Sequence, residues 1–419
     1  MRVSQLFTKT SKTIPADETA KNARLLIQAG YIHKEMAGVY AYLPLGLRVL
    51  ENIKRIVREE MDGIGGQEVM MTTLQPKDIW QKTNRWDDAV VDNWFKTALK
   101  NGTELGVGLT HEEPIVDALS GYVDSYKDLP ILVYQIQNKY RNELRAKSGL
   151  LRGREFIMKD LYTLARTQAE HEELYERIAA AYSRVYERLG IGDKTYRTAA
   201  DGGYFTSRFS DEYQTLSDIG EDTIYVDETK RLAVNQEVYN DENLAKLGLE
   251  KEDLVEKKAV EVGNIFPLES KYTDALGLYY MDEEGQQQSI IMGCYGIGIS
   301  RLMGVIAEHF SDEKGLVWPE NIAPFQVYIA RLGLEDAVMQ AAEALYKMLL
   351  ALGVTVLYDD RDVRPGEKFA DADLLGIPHR VVVSAKTVER GAFEYKARTV
   401  NESLILDQEA LKKLLTKQD

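Results

Sequence analysis

Two stretches of strict alternation joined by a basic loop constrain this 419-residue chain more than any other feature. In residues 132–143, Gln135, Gln137, Lys139, Arg141 and Glu143 fall on one side of an extended backbone. Tyr134, Ile136 and Tyr140 fall on the other, because successive side chains of a strand point to opposite faces. The alternation returns in residues 152–164, where Arg152, Arg154, Phe156 and Met158 share a face. Strand, loop and strand read together as an antiparallel hairpin. Across it Lys139, Arg141, Arg145, Lys147, Arg152, Arg154 and Lys159 outnumber Glu143, Glu155 and Asp160. Such a face is costly to bury without anions, so it points to a phosphate-bearing ligand. A solvated charged loop is the plainer reading of the same run.

Charge elsewhere sharpens that contrast. The chain carries 52 basic and 67 acidic residues, a net charge of −15, which taken whole argues against a nucleic-acid partner. Residues 216–290 alone hold 18 acids and 7 bases, so most of the excess sits in one stretch. A compact basic segment inside an acidic chain suits a small phosphate ligand better than a wide DNA-binding face. No apolar run approaches the roughly 18–20 residues of a membrane span. The first residues include Arg2, Lys9 and Lys12 but no apolar core of a signal peptide. The single cysteine, Cys294, excludes intrachain disulfides and a paired-cysteine zinc site, and five histidines leave little for a metal centre. The expectation is a cytoplasmic chain with neither membrane nor DNA as partner, and no metal held by protein ligands.

Residues 47–61 carry Leu50, Ile53, Val57 and Met61 as a helical stripe that stops at Gly63, Gly65 and Gly66, followed by an extended run over 67–73. Residues 167–190 read as a helix opened by a capping box, Thr167 and Glu170, and closed by Gly190. A boundary is expected near Trp318, Pro319 and Pro324. Beyond it strands (326–330, 354–358, 380–384) alternate with helices (335–352, 368–375), which predicts a largely parallel α/β domain. The acidic segment 222–258 reads as a short surface insertion between two parts of one catalytic domain, 1–221 and 259–320, with a further domain over 324–419.

The run Gly293-Cys294-Tyr295-Gly296-Ile297-Gly298-Ile299-Ser300-Arg301 is not a dinucleotide fingerprint, since Arg301 stands where the last glycine belongs. Its glycines let a strand and a helix start pack closely beneath a nucleotide, with Arg301 reaching a phosphate. Together with residues 47–76, Lys139-Tyr140-Arg141-Asn142-Glu143 and Leu151-Arg152-Gly153-Arg154-Glu155-Phe156, this run resembles the three signature motifs of a class II aminoacyl-tRNA synthetase. Thr110-His111-Glu112-Glu113-Pro114 and Glu212-Tyr213-Gln214 resemble the bacterial-type prolyl-tRNA synthetases in particular. Residues 359–378 resemble the anticodon-binding domain shared by the prolyl, threonyl, glycyl and histidyl enzymes. Thr72 stands where the first motif usually has proline, and Asp211 where a histidine is common.

The resemblance implies a catalytic domain built on an antiparallel sheet flanked by helices, with a C-terminal α/β anticodon-binding domain. It implies ligation of L-proline to tRNA(Pro) through a prolyl-adenylate, with ATP as substrate, Mg²⁺ on its phosphates and a homodimer. Arg141 would bridge the α-phosphate and the proline carboxylate, and Arg301 would hold the far end of ATP. Glu143, Leu151, Arg152, Phe156, Gln214 and Gly298 would complete the ATP site, although a core role is the ordinary reading of a strand phenylalanine. Thr110, Glu112, Glu212 and Cys294 would line the proline pocket. His111 reads as a structural histidine, Cys294 as a pocket residue rather than a nucleophile, and Asn264 as lying near the substrate. Arg361, Arg364, Lys368 and Arg380 are the candidate tRNA contacts. The acidic segment is too short for the editing domain of many bacterial members, so no hydrolysis of alanyl-tRNA(Pro) is expected. Two other readings compete with this one: a tRNA-binding or regulatory paralogue without adenylation, and a sister ligase for threonine or glycine.

Overall fold

The computed structural model describes residues 1–11, 13, 18–203, 205, 206 and 208–416; Lys12 lies outside them. The chain divides into two compact units, one of Met36–Val39 with Ile53–Leu302, the other of Met1–Glu35, Tyr40–Asn52 and Met303–Asp419.

The first unit is built on a nine-stranded sheet. Its strands are β1 (Gln67–Glu68), β2 (Ile131–Tyr140), β3 (Glu155–Ala165), β4 (Thr195–Ala200), β5 (Ser210–Leu216), β6 (Asp222–Asp227), β7 (Leu232–Asn235), β8 (Val255–Glu269) and β9 (Ile291–Gly298). They lie in the order β5-β4-β7-β6-β8-β9-β3-β2-β1, with β5 also pairing β8. The hairpin expected from alternation is β2–β3, antiparallel from Ile131 opposite Leu164 to Tyr140 opposite Glu155. The acidic segment does not stand outside the fold: β6 and β7 are strands of the sheet, β6 pairing β8 and β7 pairing β4. Ile224, Val226 and Ala233 are buried there, and Asp227 at the end of β6 is buried with them.

The Pro44–Gly63 helix buries Leu50, Ile53, Val57 and Met61 completely, as the stripe requires. The run after it behaves differently from expectation. Only Gln67–Glu68 joins the sheet, parallel to β2. Farther along, side chains of β2 take up the backbone, Gln135 accepting from Met71 N–H at 3.1 Å and Gln137 donating to Met71 O at 2.6 Å. Leu74–Pro76 then pairs with Glu104–Val107 in a separate small sheet. The Gln168–Arg188 helix packs across β3, β8 and β9. Thr167 caps it through Glu170 N–H at 3.2 Å, but the Glu170 carboxylate closes on Arg166 N–H at 2.8 Å, one residue outside the expected box.

In the second unit the C-terminal sheet has strands β10 (Val327–Leu332), β11 (Val356–Asp359), β12 (His379–Ser384), β13 (Phe393–Ala397) and β14 (Leu404–Leu406), in the order β11-β10-β12-β13-β14. β10 is parallel to β11 and β12, and β13 and β14 add an antiparallel edge. The expected helices are present as Asp336–Ala351 and Pro365–Leu375. Among the described residues no helix is long and apolar enough to cross a membrane.

Candidate active site

Where β2 ends and β3 begins, the connecting segment places several side chains around one cavity of about 220 Å³. Arg141 N–H donates to Arg154 O at 2.9 Å, and Glu143 N–H closes on Arg141 O at 2.8 Å. Arg141, Glu143, Leu151, Arg152, Phe156, Gly298 and Arg301 all line the cavity. The half-buried guanidinium of Arg141 lies 5.3 Å from the Phe156 ring centroid. It forms no ion pair among the described residues. Arg152 is instead paired with Glu143 at 3.0 Å and Glu221 at 3.4 Å. Arg301, on the first turn of the Ile299–His309 helix, donates to Leu151 O at 2.8 Å and to Glu261 Oε2 at 3.2 Å. The floor is the β8–β9 ladder. A Cβ on Gly296 would lie 2.9 Å from Asn264 Oδ1, so a side chain there would have to displace the Asn264 amide from its place beside the cavity.

Acidic residues form the opposite wall. Asp222, Glu221 and Glu261 line the cavity, and Asn264 donates to Glu261 at 2.7 Å. Gln214 is buried just behind, donating to Asp222 at 2.9 Å and to Glu212 at 2.8 Å. Burial, and then the neighbouring Glu261, push the Glu212 carboxyl up to about 8. Burial likewise raises Asp222, with Glu261 adding to it.

A second cluster is deeply buried at the start of the Glu112–Leu119 helix. Thr110 Oγ1 donates to Glu112, 2.8 Å from each oxygen, and Cys294 Sγ donates to Glu112 Oε1 at 3.2 Å. Burial and the adjacent Glu112 push the Cys294 thiol well above its ordinary range, which suits a packed thiol rather than a nucleophile. Glu212 is not part of this group: its contacts run to Gln214 and Asn235.

His111 is structural, as read. Its Nε2–H donates to Thr72 O at 3.0 Å while Nδ1 accepts from Lys139 Nζ at 2.7 Å, an arrangement that requires neutral imidazole. Burial and Lys139 lower it to about 4. Lys139 also pairs with Asp160 at 2.8 Å, and Lys159, on the opposite face, donates to Tyr295 O at 3.0 Å. These two lysines of the basic hairpin are therefore buried structural cations, not phosphate ligands.

Residues 95–310 match the tRNA synthetase class II core domain family (G, H, P, S and T), and residues 326–418 match the anticodon binding domain family. The chain is 36% identical over 441 residues to the proline–tRNA ligase of Phenylobacterium zucineum, covering 99% of this chain and 100% of that one. It is 37% identical to that of a Caulobacter species over 96% of this chain and 95% of the other. The chain belongs to the proline–tRNA ligase family. The Bacillus cereus member is 31% identical in an alignment of 553 residues covering 96% of this chain and 97% of that one, so this ligase is a short form without a large insertion. A crystal structure of prolyl-tRNA synthetase from Cryptosporidium parvum, complexed with halofuginone and AMPPNP, shares the fold. Its TM-score is 0.77 at 17% identity, covering 94% of this chain and 76% of that one.

In this ligase the cations read as tRNA contacts differ in availability. Lys368 is buried, donating to Arg331 O at 2.6 Å and Asp359 O at 3.2 Å, and offers nothing to a phosphate. Arg361 is tied to Asp359 and Asp371, each at 2.7 Å, and Arg380 stacks 4.5 Å from the Phe369 ring centroid beside Asp373. Arg364 is exposed at the start of the Pro365–Leu375 helix. Sequence reasoning passed over Glu261, Asp222 and Arg85. Asp222 was absorbed in the acidic stretch, where alternation around Ile224 and Val226 is the signal that could have found it; Glu261 lies just beyond that stretch, in β8.

Proposed function

We propose that the cavity binds ATP and the Glu112 cluster binds L-proline, and that the chain makes prolyl-adenylate and passes the prolyl group to tRNA(Pro). The proline carboxylate attacks the α-phosphorus, the bond to the β-phosphate oxygen breaks, and pyrophosphate leaves. The terminal tRNA hydroxyl then attacks the prolyl carbonyl and AMP leaves. Neither step needs a protein nucleophile, so catalysis rests on positioning and charge. The observation that carries this reading is the uncommitted Arg141 guanidinium over Phe156. A planar fork with no counter-ion can grip two anionic oxygens as charge develops between them. Arg301 leaves Glu261 for the distal phosphates, Phe156 and Glu143 meet the adenine, and Thr110 and Glu112 accept from the proline ammonium.

No cluster of three or more ligating side chains among the described residues is placed to cage a cation. That fits Mg²⁺ held through nucleotide oxygens and water, where it would neutralise phosphate charge. A homodimer through the first motif is part of the proposal: β1 is a sheet edge, and Met70 and Leu74 beyond it are 84% and 53% exposed. A cytoplasmic setting and a tRNA contact at Arg364 belong to the same reading. Proline-dependent pyrophosphate exchange tests it. Arg141→Ala should lower the rate on the order of 10²–10³-fold with the fold intact. Near-normal exchange in the variant, or exchange supported by threonine or glycine instead of proline, would remove the assignment.

A further inference from the structure

Glu112 is also held by a buried arginine. Arg85 follows the Lys77–Lys82 helix and is 2% exposed. Its Nη1 donates to Glu112 Oε2 at 3.0 Å and to the two oxygens of Glu113 at 3.1 and 2.9 Å. Among the described residues, the rings of Trp80, Phe205 and Tyr272 lie around the guanidinium, with centroids 4.9, 5.2 and 5.3 Å away. Glu113 is engaged again by Thr83 Oγ1 at 2.6 Å, so it is anchored between two donors. Glu112 differs: its other donors, Thr110 and Cys294, are small side chains.

Two adjacent carboxylates, both fully buried, would repel each other without a cation shared between them. The aromatic cage fixes where that cation can sit, because a guanidinium is favoured over ring faces. We propose that Arg85 is a positioning residue, fixing the rotamer and charge of Glu112 so that this carboxylate, and not Glu113, accepts the ammonium of the amino acid substrate. This rests on the reading that Thr110 and Glu112 form the proline site.

The test is pyrophosphate exchange on the full chain, with KM measured separately for proline and ATP. Arg85→Met should raise the proline KM by on the order of 10- to 100-fold while leaving the ATP KM within about twofold. Arg85→Lys, which returns a cation without the fork, should recover part of that loss. In a Glu112→Gln background, Arg85→Met should add little, because the carboxylate it positions is gone. A merely structural arginine would move both KM values and kcat together with thermal stability, and that pattern overturns the proposal. Should Arg85→Met not fold, Arg85→Lys decides: a selectively raised proline KM supports the role and an unchanged one overturns it. An unchanged proline KM in Glu112→Gln removes the proline-site reading and this proposal with it. A raised KM there with unaltered Arg85 variants removes this proposal alone.

Discussion

A guanidinium half-buried beside a phenyl ring gives up hydration, and Arg141 does so with no counter-ion among the described residues, while Arg152 and Arg301 are paired. The three arginines differ because different acids surround them, not because of their own chemistry. The same crowding acts on Glu212. Its carboxyl, pushed up to about 8 by burial and Glu261, keeps its proton in the folded chain across a range where the unfolded chain, near 4.5, gives it up. The folded state therefore binds more protons between these values, and stability falls as pH rises through that window. Glu212→Gln mimics the protonated group, so its thermal stability relative to the parent should grow from about pH 5 to pH 8 and then level off. A pH-independent difference in Tm would show that Glu212 is ionised throughout. Arg85 was illegible in the sequence for a related reason. A single arginine between Asn84 and Trp86 looks like a surface charge until the fold brings Glu112, Glu113 and aromatic rings around it.

At the scale of elements, the β2–β3 hairpin was readable because its alternation is local, with register following from pairing of neighbours in sequence. Which of its cations face a ligand was not, since Lys139 is claimed by His111 as well as by Asp160 across the hairpin, and Lys159 by Tyr182 and Tyr295. The loop between the strands has a brace that only the fold reveals. Gly38, at φ +75°, accepts from Arg154 N–H at 2.7 Å, and Arg154 Nη1 donates to Ala37 O at 2.8 Å. A Cβ on Gly38 would lie 2.4 Å from that of Ala146. Gly38→Ala should destabilise by ~1–3 kcal/mol and raise the ATP KM more than the proline KM, since it displaces the loop carrying Glu143 and Arg152. Equal effects on both constants would show that the brace does not govern the nucleotide side.

For the molecule as a whole, the division into catalytic core and anticodon-binding region was legible from motif order, and the parallel α/β pattern beyond residue 326 from its alternation. The role of the acidic stretch was not, because charge density hides the apolar positions that carry β6 and β7 into the sheet. With that stretch committed to the sheet, the chain does not carry the extra residues that lengthen the alignment with the Bacillus cereus relative to 553 positions. Purified protein should leave alanyl-tRNA(Pro) intact over times in which prolylation is complete, as followed by release of labelled alanine; deacylation above the uncatalysed rate would contradict this. The bare guanidinium beside Phe156 also has a laboratory consequence. On the proposed assignment of this cavity to ATP, sulfate or inorganic phosphate would compete for the same guanidinium, so binding constants measured in such buffers should understate the grip on ATP.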